Sequence, residues 1–143
     1  MRDDFAHPAF GKLFVETEYM PERSALLCHR RPRDSRDPGT WAMHVISLEG
    51  RPQGPLEWET DRARFIGRGR SLVAPAALDA GCLTLSGSAG PVLDPVVAIR
   101  CRIELAPGQT AMIDMVHGVG VDREACAGLI DKYRDRRLAD RVF

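Results

Sequence analysis

Apolar and polar positions alternate with period two along most of this chain, the signature of strands that cover one face. From Lys12 to Tyr19 the alternation puts Val15, Thr17 and Tyr19 on one side and Glu16 and Glu18 on the other. Pro21 to Ser24 reads as a turn and Ala25 to Arg31 as a second short strand, so the two form a hairpin. Residues before Phe10 are polar and irregular, with Pro8 as a breaker, and Pro32 to Gly39 is a polar loop carrying Arg33, Asp34, Arg36 and Asp37. Thr40 to Leu48 is apolar on both sides apart from His44, as expected of a strand covered on both faces. Glu49 to Pro55, with two glycines and two prolines, is a connection.

Glu57 to Pro75 organises the middle of the chain. It opens as a strand with Trp58 between Glu57 and Glu59, then sets Phe65 and Ile66 among Arg62, Arg64, Arg68 and Arg70. Gly67 and Gly69 interrupt regular structure there and let the backbone approach a neighbouring surface closely. A strand running into a charged, glycine-hinged loop is expected. A helical turn is expected near Ala76 to Leu78, and Cys82 to Leu93 reads as a loop with one short strand.

The clearest alternation follows. Val97, Ile99, Cys101, Ile103 and Leu105 share one face, then a Pro107-Gly108 turn leads to Ala111, Ile113, Met115, His117 and Val119 on one face. Matching the faces predicts a hairpin with Leu105 opposite Ala111, Ile103 opposite Ile113, Cys101 opposite Met115 and Arg102 opposite Asp114. A one-residue slip would set Asp114 against Cys101. The period then changes to that of a helix. Asp122 is the N-cap, Glu124 suits the positive helix end, and Cys126, Leu129, Ile130 and Tyr133 form one stripe. Gly128 weakens this helix by about 1 kcal/mol relative to alanine, so it depends on docking against the sheet. Leu138, Val142 and Phe143 begin a second helical segment.

These elements predict a mainly β fold, an antiparallel β-sandwich with a C-terminal α-helix, divided into a sandwich segment 1–121 and a helical segment 122–143. At 143 residues the chain is one domain or part of one, able to bury about 68–70% of its unfolded surface. Lysine plus arginine equals aspartate plus glutamate, 20 each, which argues against a nucleic-acid or membrane-surface binder. The cations are almost all arginine, suited to bidentate contacts, although composition bias explains that equally well. No apolar run approaches the ~18–20 residues that span a bilayer, and no secretory signal segment is evident. Cys28, Cys82, Cys101 and Cys126 lack CxxC or zinc-ligand spacing and read as reduced thiols in a cytoplasmic setting.

Candidate chemistry is sparse. Glu16/Glu18 and Glu57/Glu59 each place two carboxylates on one strand face roughly 6.6 Å apart, the separation an inverting glycosidase uses. A solvated strand face explains both pairs better. His7, His29, His44 and His117 with the cysteines make a metal site only if the fold gathers them, and His44 and His117 read as edges of the core. Neither metal nor cofactor is expected. No GxSxG supports a serine nucleophile, and Ser86 to Gly90 resembles a phosphate loop in composition alone. Trp41 reads as core. Trp58 with Arg62, Arg68 and Arg70 is the one candidate sugar-binding platform, an aromatic face for pyranose C–H groups with cations for hydroxyls. Burial of Trp58 is the preferred alternative.

Several separated stretches carry a resemblance: residues 7–19 and 26–33, ETDRARFIGRGR followed by Pro75 to Leu78, LSGSAGPVLDP at 85–95, Glu104 to Val119, and Asp131 to Asp135. In this order they resemble the large β-sandwich that precedes the catalytic barrel in the cellobiose and chitobiose phosphorylase family. Within it, the chain is most similar to the phosphorylase-like C-terminal region of bacterial cyclic β-1,2-glucan synthases. The resemblance implies part of a supersandwich of galactose-mutarotase-like topology, joined by a helical linker to an (α/α)6 barrel that holds the catalytic aspartate and the phosphate site. Since none of the barrel's motifs occurs here, no catalytic residue is implied in this chain.

The implied role is a non-catalytic, carbohydrate-associated module of a parent that makes or trims glucan. Its partners would be a glucan or oligosaccharide and the rest of the parent. The segment would be cytoplasmic and the parent an inner-membrane enzyme. A free-standing carbohydrate-binding module is the alternative, and a small glycoside-processing enzyme using Glu16 or Glu59 a third reading. A partial sandwich leaves strand edges and apolar surface open, so self-association of the chain is also expected.

Overall fold

A computed structural model describes residues 11–32, 36–37 and 39–139 of the chain. The expectations for residues 1–10, including His7, for Arg33 and Asp34, for the side chain of Leu138, and for Val142 and Phe143 lie outside them. Nine strands and three helices occur among the described residues: β1 (Val15–Met20), β2 (Ala25–Arg30), β3 (Thr40–Glu49), β4 (Arg51–Pro52), β5 (Glu57–Asp61), α1 (Arg62–Ile66), β6 (Gly90–Pro91), β7 (Pro95–Arg100), β8 (Ile103–Glu104), β9 (Met112–Gly120), α2 (Arg123–Arg134) and α3 (Arg136–Ala139). The expected helical turn at Ala76–Leu78 is present as a 3-10 turn, and a second one, Pro21–Arg23, closes the first hairpin. The chain is mainly β, antiparallel, with a C-terminal helix, as the alternation predicts.

One five-stranded antiparallel sheet, in the order β6-β1-β2-β3-β9, carries the fold. Its register lines side chains into rows across four strands. Met20, Ala25, Val45 and Val116 form one row, and Glu18, Leu27, Met43 and Gly118 the next on the same face. The opposite face carries Tyr19, Leu26, His44 and His117 in one row and Thr17, Cys28, Ala42 and Val119 in another. Both faces are covered along β3, whose residues Met43, His44, Val45 and Ile46 are all buried. That is why β3 reads as apolar on both sides.

Helix α2 closes the first face. The Asp122 carboxylate accepts the Ala125 N–H at 2.7 Å, capping the helix where the sequence places the cap. Cys126 and Ile130 are fully buried against Met20, Ala25, Leu27, Met43 and Val45, with Leu129, Tyr133, Trp41 and Val116 packed around them. The helix sits close because β9 presents glycine beneath it. A Cβ on Gly118 would lie 2.8 Å from Met43 Cε, and one on Gly120 would lie 2.8 Å from Cys126 Sγ and 3.1 Å from its backbone nitrogen.

The second layer is the two-stranded ribbon β5–β7, in which Trp58 faces Ile99 and Glu59 faces Ala98. Trp58 stacks on Tyr19 with ring centroids 3.6 Å apart, and the Thr60 and Thr17 hydroxyls hydrogen-bond at 2.8 Å. The second face is thus covered from β1 to β3, where Leu26, His44 and Ile46 are buried, and open along β9. A small ribbon, β4–β8, pairs Arg51 with Glu104.

The predicted hairpin between residues 97–105 and 111–119 does not form. The first stretch divides: β7 pairs with β5 and β8 with β4, while β9 pairs with β3 over nine residues from Trp41↔Gly120 to Glu49↔Met112. Asp114 lies opposite Ser47, not Arg102, and its carboxylate meets Arg136 at 3.6 Å. Two strands of equal period can pair with each other or with third strands. Here β3 takes β9 along its whole nine-residue length, and Arg100 and Arg102 are drawn to Glu57. The covered face of β9 is also the opposite of the one expected. Val116, Gly118 and Gly120 lie under α2, whereas Ile113, Met115 and Val119 are 44%, 68% and 69% exposed. The charged stretch after β5 is likewise not all loop, because Asp61 caps α1 by accepting from the Ala63 and Arg64 N–H groups.

Candidate functional site

Strand β5 turns Trp58 and Thr60 toward the large sheet, so Glu57 and Glu59 point away from it, toward the loop 82–90. Each glutamate binds that loop. Glu57 receives Arg100 Nη2 at 2.5 Å, Arg102 Nη1 at 3.0 Å and the Leu85 N–H at 2.7 Å. Arg100 in turn donates to the carbonyls of Ala77, Cys82 and Leu83, each at 3.1 Å. Burial pushes the Glu57 carboxyl up, but the Leu85 N–H and the two guanidiniums outweigh it and hold the group below its ordinary value.

Glu59 is 2% exposed and fully occupied. Its Oε1 accepts from the Ser88 hydroxyl and from the Thr60 and Asp61 N–H groups at 3.0 and 2.9 Å, and its Oε2 accepts from the Ser86 hydroxyl at 2.5 Å. Burial again raises this carboxyl, and the serine hydroxyls and backbone N–H groups more than reverse it. Glu18 is held low chiefly by its bond to Arg123, and Glu16 pairs with Arg31 at 3.0 Å. A general acid for glycoside cleavage needs a raised pKa. Of the four carboxylates, Glu18, Glu57 and Glu59 shift the other way, and each of the four has a protein partner.

No hydrogen bond or ring contact joins Trp58 to Arg62, Arg68 or Arg70 among the described residues. Trp58 is half-buried between Tyr19 and the loop at Gly87, where a Cβ would stand 3.4 Å from the indole. Its indole nitrogen is buried with no hydrogen-bond partner among the described residues. Arg62 lies 3.9 Å from Asp94, Arg70 lies 2.6 Å from Asp79, and Arg68 is exposed. Gly67 does provide a close approach: with φ of 84°, its Cβ would stand 2.7 Å from the Ala76 Cβ.

Trp41 packs against the core and stacks on His29, centroids 4.3 Å apart. His44 and His117 stack on the second face of the large sheet with Nδ1 atoms 3.2 Å apart. Burial first, and then the His117 charge, lower the His44 pKa to about 4. No group of three or more metal-ligating side chains forms among the described residues. Below about pH 6.5 the unfolded chain therefore binds a proton that folded His44 refuses. The stability due to neutral His44 is complete above pH 6.5 and is lost as pH falls toward 4. Between pH 7.5 and 5 the loss should be about 2 kcal/mol. Urea unfolding at the two pH values checks this, and His44→Gln should remove most of the slope.

Between the uncovered part of the large sheet and the β5–β7 ribbon lies an apolar cleft of about 390 Å³, walled by Ile46, Phe65, Ile99, Ile113 and Met115. Sequence reasoning missed it because it depends on which face of β9 is open. It also missed the Ser86/Ser88 clamp, whose signal was two serines at the same i, i+2 spacing as Glu57 and Glu59.

The family model for the supersandwich domain of glycosyl hydrolase 94 matches residues 1–136. Over 131 residues, 92% of this chain, the sequence is 34% identical to the cyclic beta-(1,2)-glucan synthase NdvB of Rhizobium meliloti (strain 1021), and the chain spans 5% of that protein's length.

Proposed function

Because this chain belongs to the glycosyl hydrolase 94 supersandwich-domain family, we propose that it is a carbohydrate-associated scaffold module without catalytic residues of its own. It would serve a larger glucan-synthesising or glycan-phosphorolysing parent, supporting synthesis or the setting of chain length. The observation that carries this reading is the occupancy of the carboxylates. Glu57 and Glu59 fasten a loop to a strand, and Glu16 and Glu18 pair with arginines. No helix among the described residues is long and apolar enough to cross a membrane. A cytoplasmic position beside an inner-membrane parent is part of the proposal and rests on the likeness to NdvB.

The test is the isolated chain with β-1,2-linked gluco-oligosaccharides, with and without inorganic phosphate. The expected result is neither hydrolysis nor release of glucose 1-phosphate, and no heat of binding in calorimetry. Turnover abolished by Glu59→Gln, with folding retained, would replace the proposal with an enzyme. Saturable binding lost in Trp58→Ala would replace it with a free-standing binding module, a reading that the Tyr19–Trp58 stack disfavours by occupying one face of the indole.

A further inference from the structure

The two edges of the five-stranded sheet are treated differently. At one edge stands β6, two residues long and ending in Pro91, opposite Glu16 and Thr17 of β1. A short, proline-bearing edge is how proteins blunt unwanted pairing. At the other edge stands β9, nine residues long, with neither proline nor lysine and one charge, Asp114. Its open face shows Ile113, Met115 and Val119 to solvent. Among the described residues no strand pairs with its outer side, and a long, apolar edge is a template for another strand.

We propose that β9 is the contact through which two copies of this chain pair, antiparallel about a two-fold axis at Val116, into one continuous sheet. The β9 sequence is self-complementary in the register that pairs all nine residues. On the open face, Ile113 then meets Val119 and Met115 meets His117. On the helix-covered face, Asp114 meets Gly118, Met112 meets Gly120 and Val116 meets itself. No like charges face each other, whereas the register shifted by two residues toward the N-terminus would set Asp114 against Asp114. The exposed side chains of both copies would merge into one apolar strip across the seam, which Ile113 and Met115 would extend into each copy's cleft. An isologous contact of this kind closes on itself and stops at two copies.

Sedimentation equilibrium of the chain, from micromolar to millimolar loading, tests this. The expected result is a monomer–dimer equilibrium without larger species. The double variants I113K/V119K and I113E/V119E each place like charges across the seam twice and should weaken the dimer about tenfold or more. Mixed in equal amounts, they should restore it, because each introduced lysine then faces a glutamate. Hydrogen exchange of the unmodified chain supplies a check that needs no variant: amides of 112–120 should slow as concentration rises, while those at Gly90 and Val92 should not change. A monomer throughout the range, a dimer indifferent to both variants, or a mixture that stays monomeric would each overturn the proposal. The last outcome would mean that apolar association occurs in some other register.

Discussion

Glu59→Ala lowers the unfolding free energy by about 3 kcal/mol, a large share of the 5–15 kcal/mol that a domain has. The carboxylate is buried and accepts four hydrogen bonds, from two serine hydroxyls and two backbone N–H groups. Removing it leaves Ser88 and the Thr60 and Asp61 N–H groups short of an acceptor beneath the loop, while exposed Ser86 can turn to water, and each buried donor left unsatisfied costs more than the bond itself contributed. The loop from Leu83 to Gly90 should loosen first, because Ser86 and Ser88 hold it through this carboxylate. Glu59→Gln keeps the shape but turns an amide donor toward other donors, so about 1–2 kcal/mol should still be lost. Urea unfolding of the three chains checks the order. A Glu59→Ala chain within about 0.5 kcal/mol of the parent would mean that the clamp contributes nothing net.

Ile130→Ala should cost about 3–4 kcal/mol, the upper part of the range for a fully enclosed aliphatic side chain. Ile130 is 0% exposed and fills the space between α2 and the rows Met20–Val45 and Leu27–Met43. The surrounding sheet is held by nine-residue pairing and cannot collapse into the cavity. Gly128→Ala on the same helix is the counterpart: nothing lies within 4 Å of its Cβ position. It should stabilise by about 0.5–1 kcal/mol. Thermal unfolding of both variants separates loss of docking from a change in helix propensity.

Local signals were readable from sequence where one residue type has one physical reading. The Asp122 cap, the Cys126–Tyr133 stripe, the first hairpin and the doubly covered β3 all stand as their patterns predict. Pairing was not readable. Alternation fixes which residues share a face but not which strand lies alongside or which face is covered. In β9 the larger side chains, Ile113 and Met115, are the exposed ones, because the helix requires glycines beneath it. The glutamate pairs show the same limit. Spacing placed Glu57 and Glu59 side by side, but only the fold brings up Arg100, Ser86 and Ser88 to occupy them. The family likeness was readable because it rests on the order of many stretches and needs no pairing at all.

The helix that closes the first face is tied to the first hairpin at both ends. Arg123 grips Glu18, Asp131 grips Arg23, and Arg134 donates to the Glu22 carbonyl, links of 105, 108 and 112 residues along the sequence. These exposed ties add little energy but set the angle of docking. During synthesis, β1 and β2 emerge from the ribosome long before their covering does. At about 5–20 residues per second, the Leu27–Met43 surface waits several seconds or more, wet and sticky, for α2 to arrive. A chaperone that shields apolar strands in that interval would therefore raise the yield of this chain, and a stop codon placed before residue 123 would yield aggregate in place of a smaller sandwich.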